Sequence, residues 1–169
     1  NAVDRRLTTT DQLGNTTSYA YDANGNITLL TDANGNTSSY TYDVRNLMSA
    51  VQDAAGGVVS YGYDANGNRT SMTDANGNST TYIYDTMNRL ESSMDPLGFT
   101  NNYSYDLNGN RVAETEPDSE VISYAYNALN QLTQVSYTGG TVQYSYDGVG
   151  NRVSMLDGTG TTTYTYDDL

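Results

Sequence analysis

The sequence predicts an all-β protein built as an antiparallel array of β-hairpin repeats, and three observations lead to this prediction. A Tyr-x-Tyr pair recurs eight times at intervals of 21 or 20 residues, and these pairs contain 16 of the 17 tyrosines. A four-residue turn signal that opens with Asp or Asn recurs about every ten or eleven residues. Between these signals, side chains alternate with a period of two, which is typical of strands rather than helices.

Each repeat begins with the strand that carries the tyrosine pair. In this strand the two rings are two positions apart, so both point to the same face, while the small or hydroxylated residue between them points to the other face. We expect these tyrosines to be the structural residues of the repeat. They are Tyr19, Tyr21, Tyr40, Tyr42, Tyr61, Tyr63, Tyr82, Tyr84, Tyr103, Tyr105, Tyr124, Tyr126, Tyr144, Tyr146, Tyr164 and Tyr166.

The tyrosine strand is followed by a turn signal, and a second signal follows the next strand. Type I turns favour Asp or Asn at the first position and Gly at the fourth. Three turns carry Asn in place of Gly, and Asn also tolerates a left-handed backbone. The clearest turn residues are Asp22, Gly25, Asp64, Gly67, Asp106, Gly109, Asp147 and Gly150, and the three substitutes are Asn46, Asn88 and Asn130.

The second strand of the repeat often carries an aliphatic residue eight positions after the turn Asp or Asn. These residues are Leu30, Val51, Met72, Val135 and Met155, and the column is interrupted at Ser93 and Glu114. We expect them to pack across strands against the tyrosines. The result is a meander of about fifteen strands that curls into a spiral ribbon or shell, with the tyrosines on its more buried face. A bulge or a sheet edge is expected in the acidic segment Glu114–Glu120.

Composition excludes several classes of function. The net charge is −13, and the seven cations are all Arg, which disfavours nucleic acid and anionic membranes as partners. Without His, Cys or Lys, the usual nucleophile pairs and Schiff-base chemistry are missing. No apolar run has the roughly 20 residues of a membrane span. We therefore predict no enzymatic activity, no catalytic, cofactor-binding or metal-ligating residue, and no membrane insertion.

The unit Tyr63-Asp64-Ala65-Asn66-Gly67-Asn68-Arg69 resembles the YD repeat of the RHS family, and residues 105–111 and 146–152 match it equally well. The resemblance covers nearly the whole chain. The family includes bacterial polymorphic toxins, insecticidal toxin-complex subunits and animal teneurins. Membership implies a large secreted or cell-surface protein in which the repeats spiral into a hollow β-shell, often around a toxic C-terminal domain.

The resemblance implies a structural, extracellular role for this chain. Residues 1–169 are expected to form a single YD-repeat array of eight repeats, uncapped at both ends, as a segment of a longer array or a stacking protomer. The expected partners are further YD repeats of the same protein or copies of itself, with an encapsulated toxin domain as a further partner. Two versions of this role stay open, the wall of a shell and a self-stacking fibre.

The tyrosines, the turn aspartates and the arginines each have a further interpretation. Ladders of tyrosines could stack on sugars, so a glycan- or receptor-binding adhesin is the alternative function. The Asp-Ala-Asn-Gly-Asn blocks that begin at Asp22, Asp32, Asp64 and Asp74 resemble the start of a calcium loop, so weak Ca²⁺ binding competes with turn formation. A ladder of aspartates is unfavourable unless it is offset, so Arg69, Arg89, Arg111 and Arg152 are expected to neutralise neighbouring aspartates.

Overall fold

The computed structural model describes residues 4–167, and the regular secondary structure of these residues is entirely β-strand. The all-β antiparallel meander predicted from the sequence is confirmed, with strands that follow one another in chain order. Sixteen strands lie among the described residues, against the fifteen or so predicted. The difference arises in part at Thr138 and Gly139, where a tight hairpin turn forms without an Asp or Asn signal.

The described residues fall into two units, divided between Tyr82 and Ile83. The strands of the first unit are β1 (Thr8–Thr10), β2 (Thr16–Tyr21), β3 (Ile27–Thr31), β4 (Thr37–Tyr42), β5 (Met48–Gln52), β6 (Val58–Tyr63), β7 (Arg69–Thr73) and β8 (Ser79–Tyr84), within which the division falls. Consecutive strands from β1 to β8 pair antiparallel.

The second unit repeats this arrangement. Its strands are β9 (Leu90–Met94), β10 (Thr100–Tyr105), β11 (Arg111–Thr115), β12 (Val121–Tyr126), β13 (Leu132–Tyr137), β14 (Gly140–Tyr146), β15 (Arg152–Asp157) and β16 (Gly160–Thr163). Consecutive strands from β9 to β16 again pair antiparallel. The described part of the chain contains no helix with the length and apolarity of a membrane span.

Two kinds of strand pairing alternate along each unit. Within a repeat, the tyrosine strand pairs along its length with the next strand, as Tyr19 does with Leu30, and a bulge shifts the register at the second tyrosine. Between repeats, from β1 to β12, the ladder is shorter. The β3–β4 ladder, for example, runs only from Thr31↔Thr37 to Leu29↔Ser39. Backbone groups beyond this ladder therefore need other partners.

The two faces of the sheet differ as the alternation predicted. The first tyrosine of a repeat stands directly opposite the aliphatic column, as in Tyr40↔Val51 and Tyr61↔Met72. Rings on this face are half-buried, whereas the residue between them is mostly exposed, as Ala20 is. None of the described side chains is fully buried. The tyrosine face is therefore one side of a single layer and not the inside of a two-layer core.

The acidic segment is a regular turn, so the bulge or edge expected at Glu114–Glu120 is wrong. β11 and β12 pair in register up to Thr115↔Val121 on either side of it. The turn closes because Ser119 adopts the left-handed φ of 71° that Gly provides elsewhere. Asp118 also accepts the Glu120 N–H at 3.0 Å. The bulges lie instead at the tyrosine pairs.

Candidate functional site

In seven pairs, the second tyrosine joins its repeat to the preceding strand through its hydroxyl. The Tyr42 hydroxyl donates to the carbonyl oxygen of Ile27 at 2.9 Å. Six more bonds of this kind measure between 2.7 and 3.0 Å. They run from Tyr21 to Arg6, Tyr63 to Met48, Tyr105 to Leu90, Tyr126 to Arg111, Tyr146 to Leu132 and Tyr166 to Arg152.

The acceptor of this bond lies just beyond the end of the shorter ladder. Ile27 is two residues past Leu29, where the β3–β4 pairing stops. A backbone carbonyl left without a partner costs free energy, and the hydroxyl supplies one. The tyrosine ring reaches across the opening between the two strands. Burial is the largest cause that raises the pKa of Tyr42, and it acts in the same direction on the pKa of Tyr105.

The first tyrosine of several repeats is covered by an arginine eight positions later. The Arg152 guanidinium lies 5.4 Å from the Tyr144 ring centroid and 4.7 Å from that of Tyr164, so it bridges two successive repeats. Such distances are those of cation–π contacts. Arg69 bridges Tyr61 and Tyr82 at 6.0 and 5.1 Å, and Arg111 bridges Tyr103 and Tyr124 at 5.7 and 4.8 Å.

The predicted pairing of these arginines with aspartates is correct for one and wrong for another. Arg89 Nε lies 2.7 Å from Asp85 Oδ2, as expected. Arg111 instead pairs with Glu114 at 3.2 Å, because Glu114 occupies the aliphatic column on the tyrosine face. The stacking of arginines on rings was not predicted, although the motif in the sequence shows the spacing of eight residues between Tyr and Arg.

The negative charge of Glu114 on the tyrosine face is balanced by a cluster of polar side chains around it. The Tyr124 hydroxyl donates to Glu114 Oε2 at 3.3 Å and accepts from Arg111 Nη2 at 3.0 Å. Burial is the largest cause that raises the pKa of Tyr124, with Arg111 opposing it and Glu114 adding to it. Glu114 therefore replaces an aliphatic residue of the column and still has polar partners, namely Tyr124 and Arg111.

Each described turn that opens with Asp or Asn is closed by the side chain of that first residue. In the Asp22 turn, Oδ1 accepts the N–H groups of Asn24 and Asn26 at 2.9 Å, and Oδ2 accepts Nδ2 of Asn26 at 2.8 Å. The bond from the Asn26 side chain is the largest cause that lowers the pKa of Asp22. The Asp32, Asp64, Asp74, Asp106 and Asp147 turns repeat these bonds.

The turn glycines and carboxylates serve the turn itself. Gly25, Gly67, Gly109 and Gly150 have φ between 89° and 100°, the left-handed region predicted for this position. Both carboxylate oxygens of an aspartate such as Asp22 already accept N–H groups within the turn. The geometry favours the turn interpretation at these sites.

The asparagines that replace Gly have a second task that the sequence analysis missed. Asn46, with φ of 65°, accepts Nδ2 of Asn24 at 2.9 Å and Nδ2 of Asn26 at 2.8 Å. Asn130 accepts Nδ2 of Asn108 and of Asn110 in the same way, at 3.1 and 2.9 Å. The signal in the sequence is the spacing of 42 residues between Asn46, Asn88 and Asn130.

Arginines also donate to the turns that follow a tyrosine pair, at the same end of the strands as Asn46 and Asn130. Arg5 donates to the carbonyl oxygen of Asp22 at 2.6 Å, and Arg89 donates to that of Asp106 at 2.9 Å. Arg45 donates in the same manner to the carbonyl oxygen of Asp64. We call the turns that follow a tyrosine pair the tyrosine-end turns. We call those at the opposite end of the strands the far-end turns.

A group of three carboxylates lies in one far-end turn. Oxygens of Glu116, Asp118 and Glu120 lie within 4.8 Å of one another. Two of them already serve the backbone, because Asp118 accepts the Glu120 N–H and Glu120 accepts the Thr138 N–H at 3.0 Å. These bonds account for the positions of both carboxylates.

The predicted tyrosines lie where the alternation places them. The pairs occupy β2, β4, β6, β8, β10, β12 and β14, and the last pair, Tyr164 and Tyr166, follows β16. Together they form one face in each unit, on which second-tyrosine hydroxyls bind backbone and several first-tyrosine rings contact arginine side chains. This arrangement joins successive repeats.

The sequence model of the RHS Repeat family matches residues 1–37, 21–58, 63–100, 105–142 and 126–162. Three of these matches begin 42 residues apart, at 21, 63 and 105, which is the spacing of the Asn-bearing turns. A search of curated proteins returns no match.

Solved structures share the fold. A crystal structure of TcdB2-TccC3-Cdc42 superimposes with a TM-score of 0.71 at 22% identity, over 89% of this chain and 9% of that one. The Photorhabdus luminescens Tc holotoxin pore with a mutated TccC3 gives 0.70, also at 22% identity and over the same shares. A structure of TcdB2-TccC3-TEV gives 0.57 at 15% identity, over 95% of this chain and 13% of that one. The chain thus spans about a tenth of the length of these structures.

Proposed function

The chain belongs to the RHS repeat family as a structural repeat segment, and from this premise we propose that it forms part of the wall of an extracellular shell without catalytic activity of its own. The shell is that of a secreted or cell-surface protein, and its partners are further repeats of the same protein and an enclosed toxin domain. The fold shared with parts of Tc toxin structures supports this proposal.

One observation carries the proposal, namely that the polar groups of the repeat are used to join strands and repeats. The hydroxyl of Tyr42 satisfies a backbone carbonyl, and Asp22 is held by its own turn. No described side chain is fully buried, so the ribbon is a single layer. A thin layer that is extended by repetition suits a wall.

The contacts of the tyrosine rings weaken the adhesin alternative. Sugar stacking needs an aromatic face that is open to solvent, whereas Arg152 lies over the Tyr144 and Tyr164 rings. Tyr166 is the one repeat tyrosine of the described residues that is mostly exposed, at 54%. We therefore assign the tyrosines to the wall.

Electron microscopy of the full-length parent protein tests the shell directly. A short tag inserted at the exposed tip of the Asp43 turn, where Val44 is 99% exposed, would mark this segment. The proposal predicts closed hollow particles with the tag on the particle wall. Long filaments of repeating protomers would overturn it in favour of the fibre.

A glycan array tests the alternative function with matched variants. The wall role predicts no specific glycan binding by the folded chain. It also predicts that Tyr103→Ala weakens folding, whereas Tyr137→Ala, outside the repeat pairs, changes little. Binding that Tyr103→Ala abolishes while the circular dichroism spectrum stays intact would favour the adhesin.

A further inference from the structure

Five turns contain an Asn-Gly step, and we propose that these steps are deamidation sites whose reactivity differs between the two ends of the strands. Asn34 and Asn76, in far-end turns, convert faster than Asn24 and Asn108, in tyrosine-end turns. The fifth step is Asn66-Gly67. This inference rests on turn geometry and is independent of the proposed function.

The reaction needs only water and the residues of the turn. The backbone nitrogen of Gly35 attacks Cγ of Asn34, a new N–Cγ bond forms, and the Cγ–Nδ2 bond breaks. The amide proton leaves with Nδ2 as ammonia, and a cyclic succinimide remains. Water then opens either carbonyl of the ring to give aspartate or isoaspartate. Glycine favours this attack because no side chain shields its nitrogen.

Asn24 and Asn34 form a well-matched pair because the sequence around them is the same. Asn24 and Asn34 are both the third residue of Asp-Ala-Asn-Gly-Asn. In both turns the attacking nitrogen donates to the carbonyl oxygen of the first residue, at 3.3 Å for Gly25 and 3.0 Å for Gly35. The longer bond leaves the Gly25 nitrogen slightly freer and by itself favours reaction at Asn24. Both lengths are near the usual range of N–H···O bonds, so this difference is small.

The side chains of the two asparagines differ more. Nδ2 of Asn24 donates to Asn46 Oδ1 at 2.9 Å, and Nδ2 of Asn108 donates to Asn130 Oδ1 at 3.1 Å. Asn34 and Asn76 are exposed, and their side chains form no hydrogen bond with any described residue. Attack requires Cγ to swing onto the next nitrogen, so Asn24 must first break a bond that Asn34 lacks.

The size of this effect follows from the worth of one hydrogen bond. A typical neutral bond corresponds to a factor of about two to twelve in an equilibrium population. We therefore expect Asn34 to convert about two to twelve times faster than Asn24. Conversion also has different consequences at the two positions. An aspartate at position 24 loses the donor of this bond and places a carboxylate oxygen against Asn46 Oδ1, which is also an acceptor. At position 34 it adds an exposed charge to a far-end turn.

The test is a time course of the purified 169-residue chain in mildly alkaline buffer. Chymotryptic peptides separate the two steps, and mass spectrometry measures the one-dalton gain and the isoaspartate at each. The proposal predicts faster conversion at Asn34 and Asn76 in the folded chain. It predicts converging rates in concentrated urea, where the shared pentapeptide is all that remains. Equal rates at Asn24 and Asn34 in the folded chain would overturn it.

Two variants isolate the hydrogen bond that the proposal invokes. Asn46→Gly keeps the left-handed turn but removes the acceptor, so Asn24 should accelerate toward the rate of Asn34, which itself stays unchanged. Asn130→Gly should do the same for Asn108. An unchanged rate at Asn24 in a variant with a native circular dichroism spectrum would contradict the proposal. If either variant unfolds, the folded-versus-urea comparison of the unsubstituted chain decides the matter.

Discussion

One tyrosine-end turn and one far-end turn share the same sequence but differ in what holds them. Asp22–Asn26 and Asp32–Asn36 have the same five residues and the same internal bonds, including Asn Nδ2 to Asp Oδ2 at 2.8 Å. Only the first of them is tied to a neighbouring turn, through Asn46. The pentapeptide therefore encodes the turn, and its position in the repeat decides whether the turn also links repeats.

The tyrosines make the same distinction between the two ends. Tyr42 binds the carbonyl oxygen of Ile27 at the tyrosine end, where the ladder between repeats has ended. At the far end the ladder is intact up to Thr31↔Thr37 and closes into its own turn. Between β3 and β4, a side chain thus joins the repeats at one end of the strands and backbone joins them at the other. Four predictions test this difference, beginning with the largest effect.

Truncation of a second tyrosine should be the most damaging change. Tyr63→Ala removes a half-buried ring and the bond to Met48, so we expect the free energy of unfolding to fall by about 2–3 kcal/mol. Leu97→Ala, in a far-end turn and 80% exposed, should change it by less than about 0.5 kcal/mol. Urea denaturation of both variants measures the difference, and similar losses would remove the distinction between the ends.

Loss of a link between turns should cost somewhat less. Asn46→Ala removes two hydrogen bonds and places Ala at φ of 65°, for an expected loss of about 2 kcal/mol. Gly35→Ala meets a comparable left-handed backbone at φ of 85° but breaks no link, and should cost about 1 kcal/mol. If thermal denaturation ranks the two variants in reverse, the link carries no stability.

Acid should weaken both kinds of turn alike. Asp22 and Asp32 have pKa values below their ordinary value, and the bond from the Asn at the fifth position is the largest cause in each. A lowered folded pKa contributes stability that is complete above the unfolded pKa of about 4 and is lost as pH falls through the folded pKa. We expect the urea midpoint to drop as pH falls below about 5.

Matched variants assign the acid effect to the turns. Asp22→Asn and Asp32→Asn copy the natural Asn127, which closes its turn without a charge by accepting the Leu129 N–H at 2.9 Å. Each should remove a similar share of the pH dependence. A midpoint that is flat between about pH 5 and pH 2 in the unsubstituted chain would show that the carboxylates do not act as described.

Residues at the turn tips should matter least. Val44 and Leu107 are 99% and 98% exposed, and both belong to tyrosine-end turns. Val44→Ala and Leu107→Ala should each shift the free energy of unfolding by less than about 0.5 kcal/mol. Larger losses in urea denaturation would mean that the tyrosine end is held by contacts other than those of Tyr42 and Asn46.

Much of the fold was predictable because short-range rules govern it. The period of the tyrosines, the Asp and Gly of each turn and the aliphatic column predict strands, turns and faces, and the pairing Tyr19↔Leu30 follows from them. The same rules missed the Thr138–Gly139 turn, which carries no Asp or Asn signal. They also misjudged Glu114–Glu120, because Ser119 adopts a backbone conformation that is uncommon for serine.

The links between repeats were less predictable because they join residues far apart in sequence. Asn46 was expected only to tolerate its backbone, yet its side chain binds Asn24, 22 residues away. Arg111 was assigned to aspartates by charge alone, whereas a ring 4.8 Å away and Glu114 hold it. A residue type signals what a side chain can bind, and the register of the strands decides which partner it meets.

The most direct test removes one oxygen atom from each tyrosine of a single pair. Tyr42→Phe keeps the ring but loses the bond to Ile27, whereas the Tyr40 hydroxyl has no hydrogen bond with any described residue. Urea denaturation should show a loss of about 1 kcal/mol for Tyr42→Phe and almost none for Tyr40→Phe. Equal losses in the two variants would contradict the claim that second-tyrosine hydroxyls join the repeats.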